Sequence, residues 1–176
     1  NSIDSSNFIN KLLEIFELSL IFDIDIKKID FLVSKEAYVH SLIIYKNGLV
    51  SLNCFNNDML IPMIKPLSFF YDITYKSPKK YLDSNNFKFH IFDDKRFKIL
   101  SKIQYIKKFD HHSQIKFMIL NNLAQKKYLK NEIDYQDILS FILNNLKKFK
   151  KKYKFHKFSD ITNYIKYLRF YYENNL

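Results

Sequence analysis

The chain has 176 residues, and 47% of them are hydrophobic, which is enough for a globular core in one large or two small domains. Its single cysteine, Cys54, excludes an internal disulfide and a cysteine-rich metal site, and it fits a reducing compartment. No apolar run approaches the roughly 18 residues of a membrane span, and the first residues lack the basic-then-apolar plan of a signal peptide. We therefore expect a cytoplasmic protein with no membrane partner.

The formal net charge of +11 raises the question of an anionic partner. Of the 29 basic residues only Arg96 and Arg169 are arginine, whereas proteins that recognise bases and phosphates usually rely on arginine forks. We attribute the charge mainly to an AT-rich genome, whose codons favour lysine. The lysine-rich tract from Lys147 to Lys157 keeps one alternative open, a helical binding module for nucleic acid or an acidic partner, without enzymatic activity.

The first predicted element is a helix over residues 7–22, starting near residue 6 or 7 after four N-cap residue types at positions 4–7. The free backbone N–H groups of such a helix start can bind an anion. Asn10 and Glu14 are four residues apart on one face, with Lys11 alongside. This polar face is either the solvated side of an amphipathic helix or a combined anion and metal site, and the spacing alone does not decide between them.

The next elements are strands. A short buried strand is predicted at Ile29 to Val33, and residues 38–46 and 49–55 alternate as a pair around Asn47-Gly48, a dipeptide typical of hairpin turns. His40 falls within the first strand of the pair, as either a hydrogen-bonded core or interface residue or a functional one. A two-stranded sheet is marginal by itself, so this hairpin is expected to be a sheet edge or a dimer surface.

The pattern then changes twice. Residues 64–95 show no sustained helical period and are predicted to form an extended connection. Helices are predicted at about 96–109, 113–130, 135–149 and 159–173, with Asp134 and Ser159 as N-caps. One buried stripe is predicted at Ile138, Leu139, Ile142 and Leu146.

Several segments resemble one known family in the same order along the chain. Residues 2–14 are similar to the S-V-D-S-A-T-M-M-N-K-G-L-E motif of 1-deoxy-D-xylulose 5-phosphate reductoisomerases, without a gap, although Leu12 replaces the motif glycine. Residues 39–42 resemble the family's V-I-H-S-M strand, residues 45–50 its Y-x-D-G-S-V hairpin, and residues 58–62 its D-M-R-x-P. Residues 65–67 and 129–138 resemble two further family segments, so the similarity extends over nearly the whole chain.

The resemblance implies a role for each matching residue. Ser5, Asn10, Lys11 and His40 would bind a sugar phosphate substrate, and Glu14 would be a ligand of Mg²⁺ or Mn²⁺. Lys11 and Glu14 would therefore be catalytic. Met59 would lie at the site of the NADPH cofactor.

The resemblance also implies an organisation. The expected fold is α+β, with a helix and a small hairpin sheet in a remainder of the catalytic domain at residues 1–65. A linker at residues 66–95 and a helical bundle at residues 96–176 would follow, and the sheet would form a homodimer. The family's NADPH-binding domain and its Asp-Ser-Glu metal motif would lie upstream, so we expect a fragment that is inactive alone. A bacterial cytoplasm is expected, with a plastid as the alternative.

Overall fold

The computed structural model of the protein describes residues 2–34, 38–76, 89, 97–151 and 153–176. Over these residues the chain forms seven α-helices and one two-stranded antiparallel sheet. The helices are α1 (Ser2–Ser6), α2 (Ile9–Phe22), α3 (Leu60–Leu67), α4 (Ile103–Ile106), α5 (His111–Leu129), α6 (Ile138–Asn145) and α7 (Phe158–Asn175), and the strands are β1 (Val39–Ile44) and β2 (Val50–Cys54). The predicted α+β class, with a small sheet and a C-terminal helical bundle, is confirmed.

The chain divides into two compact units, residues 1–31 together with 93–176, and residues 32–92. This division differs from the predicted boundaries at residues 65 and 95 because α2 buries its apolar face in one core with the C-terminal helices. The assignment of residues 1–65 to a catalytic domain stays a prediction. Much of the predicted linker, residues 77–88 and 90–95, lies outside the described residues, and α3 extends into its start.

The first unit is organised around the apolar face of α2. Apolar residues recur at helical spacing along this helix, so their side chains share one face and leave water together. The buried members are Ile9, Leu12, Ile15 and Phe16. Ile9, Leu12 and Phe16 join a core that includes Phe117, Leu120 and Ala124 of α5, Ile138 and Ile142 of α6, and Tyr164, Leu168 and Tyr172 of α7. The predicted stripe at Ile138, Leu139, Ile142 and Leu146 is buried, as the apolar spacing indicated.

The start of the first long helix differs from the prediction. The backbone is already helical in α1, breaks at Asn7 and Phe8, and resumes at Ile9. Phe8 has a left-handed φ of 62°, a conformation that costs a residue with a side chain about 1–2 kcal/mol. Its ring packs on Phe31 and Phe97, with centroids 5.8 and 4.8 Å away, and these contacts offset the strain.

Two further predictions are wrong in detail, and a third is confirmed in position. Residues 26–28 form a 3₁₀-helix, and residues 29–32 form no strand, with only an isolated bridge at Val33. Lys107 Nζ binds the Ile29 carbonyl and the Asp30 carboxylate in this segment. Asp134 is the N-cap residue of the 3₁₀ turn that leads into α6, as predicted, although its side chain accepts no capping hydrogen bond. Ser159 lies inside α7, whose N-cap residue is Lys157, and the Asp160 carboxylate in the first turn accepts from the backbone N–H groups of His156 and Lys157.

The second unit contains the predicted hairpin. β1 and β2 pair antiparallel from Val39 opposite Cys54 to Ile44 opposite Val50, with an irregularity between Val39 and Ser41. The turn is closed by two bonds, from Tyr45 N to the Leu49 carbonyl at 2.9 Å and from Gly48 N to the Tyr45 carbonyl at 3.0 Å. Gly48 has a φ of 85°, which is readily adopted only without a side chain.

Replacing Gly48 with alanine is expected to destabilise the hairpin by about 1 kcal/mol, because a Cβ there meets no atom within 4 Å and the cost is backbone strain alone. Hydrogen exchange of the Tyr45 amide should then be roughly fivefold faster. Gly48→Asn is the matched variant, since asparagine tolerates a left-handed backbone better, and it should change exchange less. Equal exchange in all three proteins would contradict this account of the turn.

Candidate functional site

Three of the predicted site residues meet on the first turns of α2. The Asn10 amide donates from Nδ2 to Glu14 Oε1 at 2.7 Å, and Lys11 Nζ donates to Glu14 Oε2 at 2.8 Å. The contacts follow from the sequence spacing, because residues three and four apart are neighbours on a helix surface. The predicted cluster of an amide, an ammonium and a carboxylate is therefore formed, and we call Asn10, Lys11 and Glu14 the α2 cluster.

The α2 cluster is accessible and can exchange its partners. The side chains of Lys11 and Glu14 are 52% and 42% exposed, and exposed ion pairs typically contribute only about 0.2–1 kcal/mol. A carboxylate has about four lone-pair sites, so Glu14 can accept further interactions while Asn10 remains bound. A ligand that offers phosphate oxygens or a cation can therefore compete with the bond between Lys11 and Glu14.

Ser5 lies on α1 and not at the start of α2, in contrast to the predicted helix start. It is exposed, and over the described residues no hydrogen bond joins its side chain to the α2 cluster. The start of α2 provides few free donors beside it, since Asn7 Oδ1 already accepts from Ile9 N at 3.0 Å. The structure thus brings together Asn10, Lys11 and Glu14, and it places Ser5 on the preceding short helix.

Both neighbours of Ser5 are tied to the C-terminal helices. Asp4 Oδ1 accepts from Asn121 Nδ2 at 3.0 Å and from Gln125 Nε2 at 2.8 Å, and Gln125 Nε2 is also 2.8 Å from Asp4 Oδ2. The Ser6 hydroxyl is 2.8 Å from the Tyr135 hydroxyl and bonds the Ile3 carbonyl. The sequence did not predict these partners. Asn121 could have indicated one, because it interrupts the apolar face of α5 and a buried amide needs a hydrogen-bonding partner.

Leu12 stands where the resembled motif has glycine. Its side chain is fully buried, in the core shared with α5, α6 and α7. Because Leu12 is two residues from Asn10 and Glu14, it projects from the opposite side of the helix. The leucine therefore contributes to the core and does not occupy the polar face that carries the α2 cluster.

His40 belongs to the second unit and lies on β1. The residue is exposed, its ring stacks on Phe55 with centroids 3.6 Å apart, and its Nδ1 is 2.9 Å from the Tyr38 carbonyl oxygen. Within this unit His40 is not a core residue. An oriented, exposed imidazole remains available as a donor, acceptor or interface contact.

Met59 also belongs to the second unit, just before α3, and it is 65% exposed. The adjacent Asp58 is held by two bonds, one from the Tyr75 hydroxyl to Oδ2 and one from Leu60 N to Oδ1 at 2.9 Å. The bond from Tyr75, followed by the bond from Leu60, holds the pKa of the Asp58 carboxyl below its ordinary value, and the same contact raises the pKa of Tyr75. Asp58 thus orders the backbone that carries Met59.

The donor set limits what metal this chain can hold. Over the described residues, no group of three or more histidine, cysteine, aspartate and glutamate side chains could hold a metal ion. Glu14 offers one hard oxygen ligand of the kind that Mg²⁺ prefers, and one carboxylate alone is too few for a divalent cation. The described residues therefore fit one ligand of such a site and not the whole of it.

Among the described residues, no helix is both long and apolar enough to span a membrane.

Solved structures share this fold. The chain matches a 1-deoxy-D-xylulose 5-phosphate reductoisomerase from Zymomonas mobilis in complex with NADPH, with a TM-score of 0.79, at 23% identity over 96% of this chain and 45% of that one. A structure of DOX-P reductoisomerase in complex with magnesium gives the same TM-score at 24% identity, over 99% of this chain and 46% of that one. At these identities the likeness establishes the fold alone.

Sequence relatives carry the same name. The reductoisomerase of the Wolbachia of Brugia malayi is 30% identical over 164 residues, 92% of this chain and 42% of the relative. That of Pelagibacter ubique is 27% identical over 143 residues, 81% of this chain and 37% of the relative. No protein-family model matches the chain.

The sequence relatives and the solved structures of this fold therefore bear one name, 1-deoxy-D-xylulose 5-phosphate reductoisomerase. The chain is similar to these proteins, which confirms the resemblance, and it spans about 40% of the length of the curated relatives it matches. These matches do not favour the alternative of a lysine-rich binding module.

Proposed function

We propose that this chain is part of a 1-deoxy-D-xylulose 5-phosphate reductoisomerase. Such an enzyme rearranges its substrate and reduces it with NADPH, using a divalent metal, to 2-C-methyl-D-erythritol 4-phosphate in non-mevalonate isoprenoid synthesis. The α2 cluster carries this proposal, because Asn10, Lys11 and Glu14 match the family motif in register and also contact one another. The relatives supply the context, since they bear this name and two of the matching solved structures contain NADPH.

The proposed substrate residues are Ser5, Asn10 and Lys11. The Ser5 hydroxyl and the Asn10 amide can each donate to a phosphate oxygen, and the Lys11 ammonium adds a charge-assisted bond. Lys11 would exchange its exposed contact with Glu14 for the phosphate, an exchange that the weakness of exposed ion pairs allows. Holding the phosphate orients the remote reacting carbons, so that binding energy supports the chemical step.

Glu14 is proposed as one ligand of a divalent cation. When bound, Mg²⁺ or Mn²⁺ supplies Lewis acid chemistry by polarising adjacent hydroxyl and carbonyl oxygens of the substrate. Asn10 would orient the Glu14 carboxylate through the 2.7 Å bond to Oε1, leaving the other oxygen for the ion. The further ligands that such an ion requires would come from outside the described residues.

Two residues of the second unit complete the proposal. His40 is exposed and oriented by Phe55 and Tyr38, which suits it to contact the substrate. Met59 is exposed beside the ordered Asp58, which suits it to contact the nicotinamide of NADPH. Both assignments rest on the residues that match the family motifs and on exposure within the second unit.

A homodimer through the sheet is also proposed. Apolar side chains of the hairpin are largely exposed, with Ile44 73% and Val50 49% accessible, and a sheet of two strands is marginal without a partner. Pairing with a second copy would cover these side chains. We further propose a bacterial cytoplasm as the location, with a plastid as the alternative.

A hybrid enzyme tests the proposed function. The matching segment of the Wolbachia relative is replaced by this chain, and NADPH oxidation that depends on 1-deoxy-D-xylulose 5-phosphate is measured. Turnover by the hybrid is the expected result, because the α2 cluster would replace its counterpart in the relative. A hybrid that folds and binds NADPH but shows no turnover would contradict the proposal.

A further inference from the structure

We propose that Asp4, Asn121 and Gln125 are positioning residues, which hold the short helix α1 so that the Ser5 hydroxyl is fixed for phosphate binding. This inference deepens the proposed function and rests on it. None of the three residues needs to touch the substrate. They would act through the backbone at Asp4, the residue that precedes Ser5.

The contacts from α5 converge on one carboxylate. Asn121 donates to Asp4 Oδ1 at 3.0 Å, and Gln125 lies 2.8 Å from both carboxylate oxygens. Asn121 is only 1% exposed and Gln125 is half-buried, so water competes little for these bonds. Hydrogen bonds to a carboxylate are roughly twice as strong as those between neutral groups. The Asp4 carboxylate therefore strengthens both contacts with α5.

The position of helix α1 depends on side-chain hydrogen bonds of this kind. The helix has five residues, and an isolated helix of that length is not stable in water. Phe8, in its left-handed conformation, separates α1 from α2, so the hydrogen-bond ladder of α2 does not continue into it. Its position must therefore come from side-chain contacts.

The anchors lie on both sides of Ser5. Asp4 precedes it and binds α5, and Ser6 follows it and contacts the Tyr135 hydroxyl at 2.8 Å. The side chain of Ser5 itself is exposed. A residue whose two neighbours are fixed and whose own hydroxyl faces solvent is held ready to donate, which reduces the ordering cost of binding a phosphate.

Electrostatics and positioning make opposite predictions for Asp4. A negative charge one residue from Ser5 repels a phosphate, so its removal alone should tighten phosphate binding. If Asp4 positions Ser5, removal should weaken binding despite the lost repulsion. The sign of the change thus separates the two effects.

In the test, the full chain is titrated with inorganic phosphate, and the NMR chemical shift of the Ser5 backbone amide reports the binding. Asp4→Ala and Gln125→Leu are expected to raise the apparent dissociation constant by roughly three- to tenfold. Asp4→Asn keeps an acceptor oxygen for Gln125 and should restore most of the affinity. The matched control is Gln114→Leu, which removes a half-buried glutamine of α5 that bonds the Phe109 carbonyl at 3.1 Å and should leave phosphate binding unchanged.

The outcomes distinguish the inference from the proposed function. If the wild-type chain binds phosphate and Ser5→Ala weakens the binding, while Gln125→Leu and Asp4→Ala do not, the positioning role is wrong and the phosphate site stands. Equal losses in Gln125→Leu and Gln114→Leu would show a general loss of stability and would also overturn the role. If phosphate does not shift the Ser5 amide of the wild-type chain, the proposed phosphate site fails and the inference fails with it.

Discussion

Replacing Leu12 with alanine is expected to lower the free energy of unfolding of the first unit by about 2–5 kcal/mol. The side chain is fully buried among residues of α5, α6 and α7, so the truncation removes apolar contacts and leaves a cavity. Urea unfolding followed by circular dichroism measures the change. Leu18→Ala on the same helix is the matched control, because Leu18 is 43% exposed and should change the free energy by only about 0.5 kcal/mol.

The same position tests how the chain departs from the resembled motif. Leu12→Gly would restore the motif glycine, yet it should cost about 1 kcal/mol more than Leu12→Ala because glycine is a poor helix former. A glycine variant as stable as the wild type would mean that Leu12 is not a core residue. In that case Leu12 would not be held in the core, away from the polar face that carries the α2 cluster.

Replacing Glu14 with glutamine is expected to lower kcat of the hybrid enzyme by at least about 100-fold, since even the outer partners of metal ligands commonly contribute 10–100-fold. Glutamine preserves the size of the side chain and its bond to Asn10, but it removes the charge that a hard divalent cation requires. Steady-state rates at saturating Mg²⁺ and substrate measure the loss.

Glu17→Gln is the matched control for this change. Glu17 is exposed on the same helix, three residues further along, and carries no proposed role. Its replacement should change kcat less than about twofold, as is usual for surface substitutions away from a site. If both variants lose kcat equally, the loss comes from the changed charge of the helix, and Glu14 is not a metal ligand.

The parts of the fold that the sequence predicted well depend on local periodicity. The alternation around Asn47-Gly48 predicted the hairpin, and the helical spacing from Ile138 to Leu146 predicted a buried stripe. The contacts within the α2 cluster belong to the same kind, because spacings of three and four residues on a helix determine which side chains meet. Such features need no knowledge of distant segments.

The features that the sequence did not predict depend on distant contacts. The break at Phe8 is stabilised by aromatic contacts with Phe31 and Phe97, the second of which is far along the chain. Aspartate is a common N-cap residue type, yet the Asp4 carboxylate accepts a hydrogen bond from Asn121, 117 positions away. Asp4 therefore makes a long-range contact and does not cap α2, and α2 begins later than predicted, at Ile9.

The α2 cluster is proposed to bind a phosphorylated ligand together with its cation. The most direct test adds fosmidomycin to the hybrid enzyme with and without Mg²⁺, because the hybrid supplies the further metal ligands and one matching solved structure contains NADPH, fosmidomycin and magnesium together. We expect the NMR signals of the Asn10 side-chain amide and of the backbone amides of residues 10–14 to shift, and to shift further when Mg²⁺ is present. Shifts confined to other parts of the chain, or signals of the α2 cluster that stay in place at saturating ligand, would contradict the account.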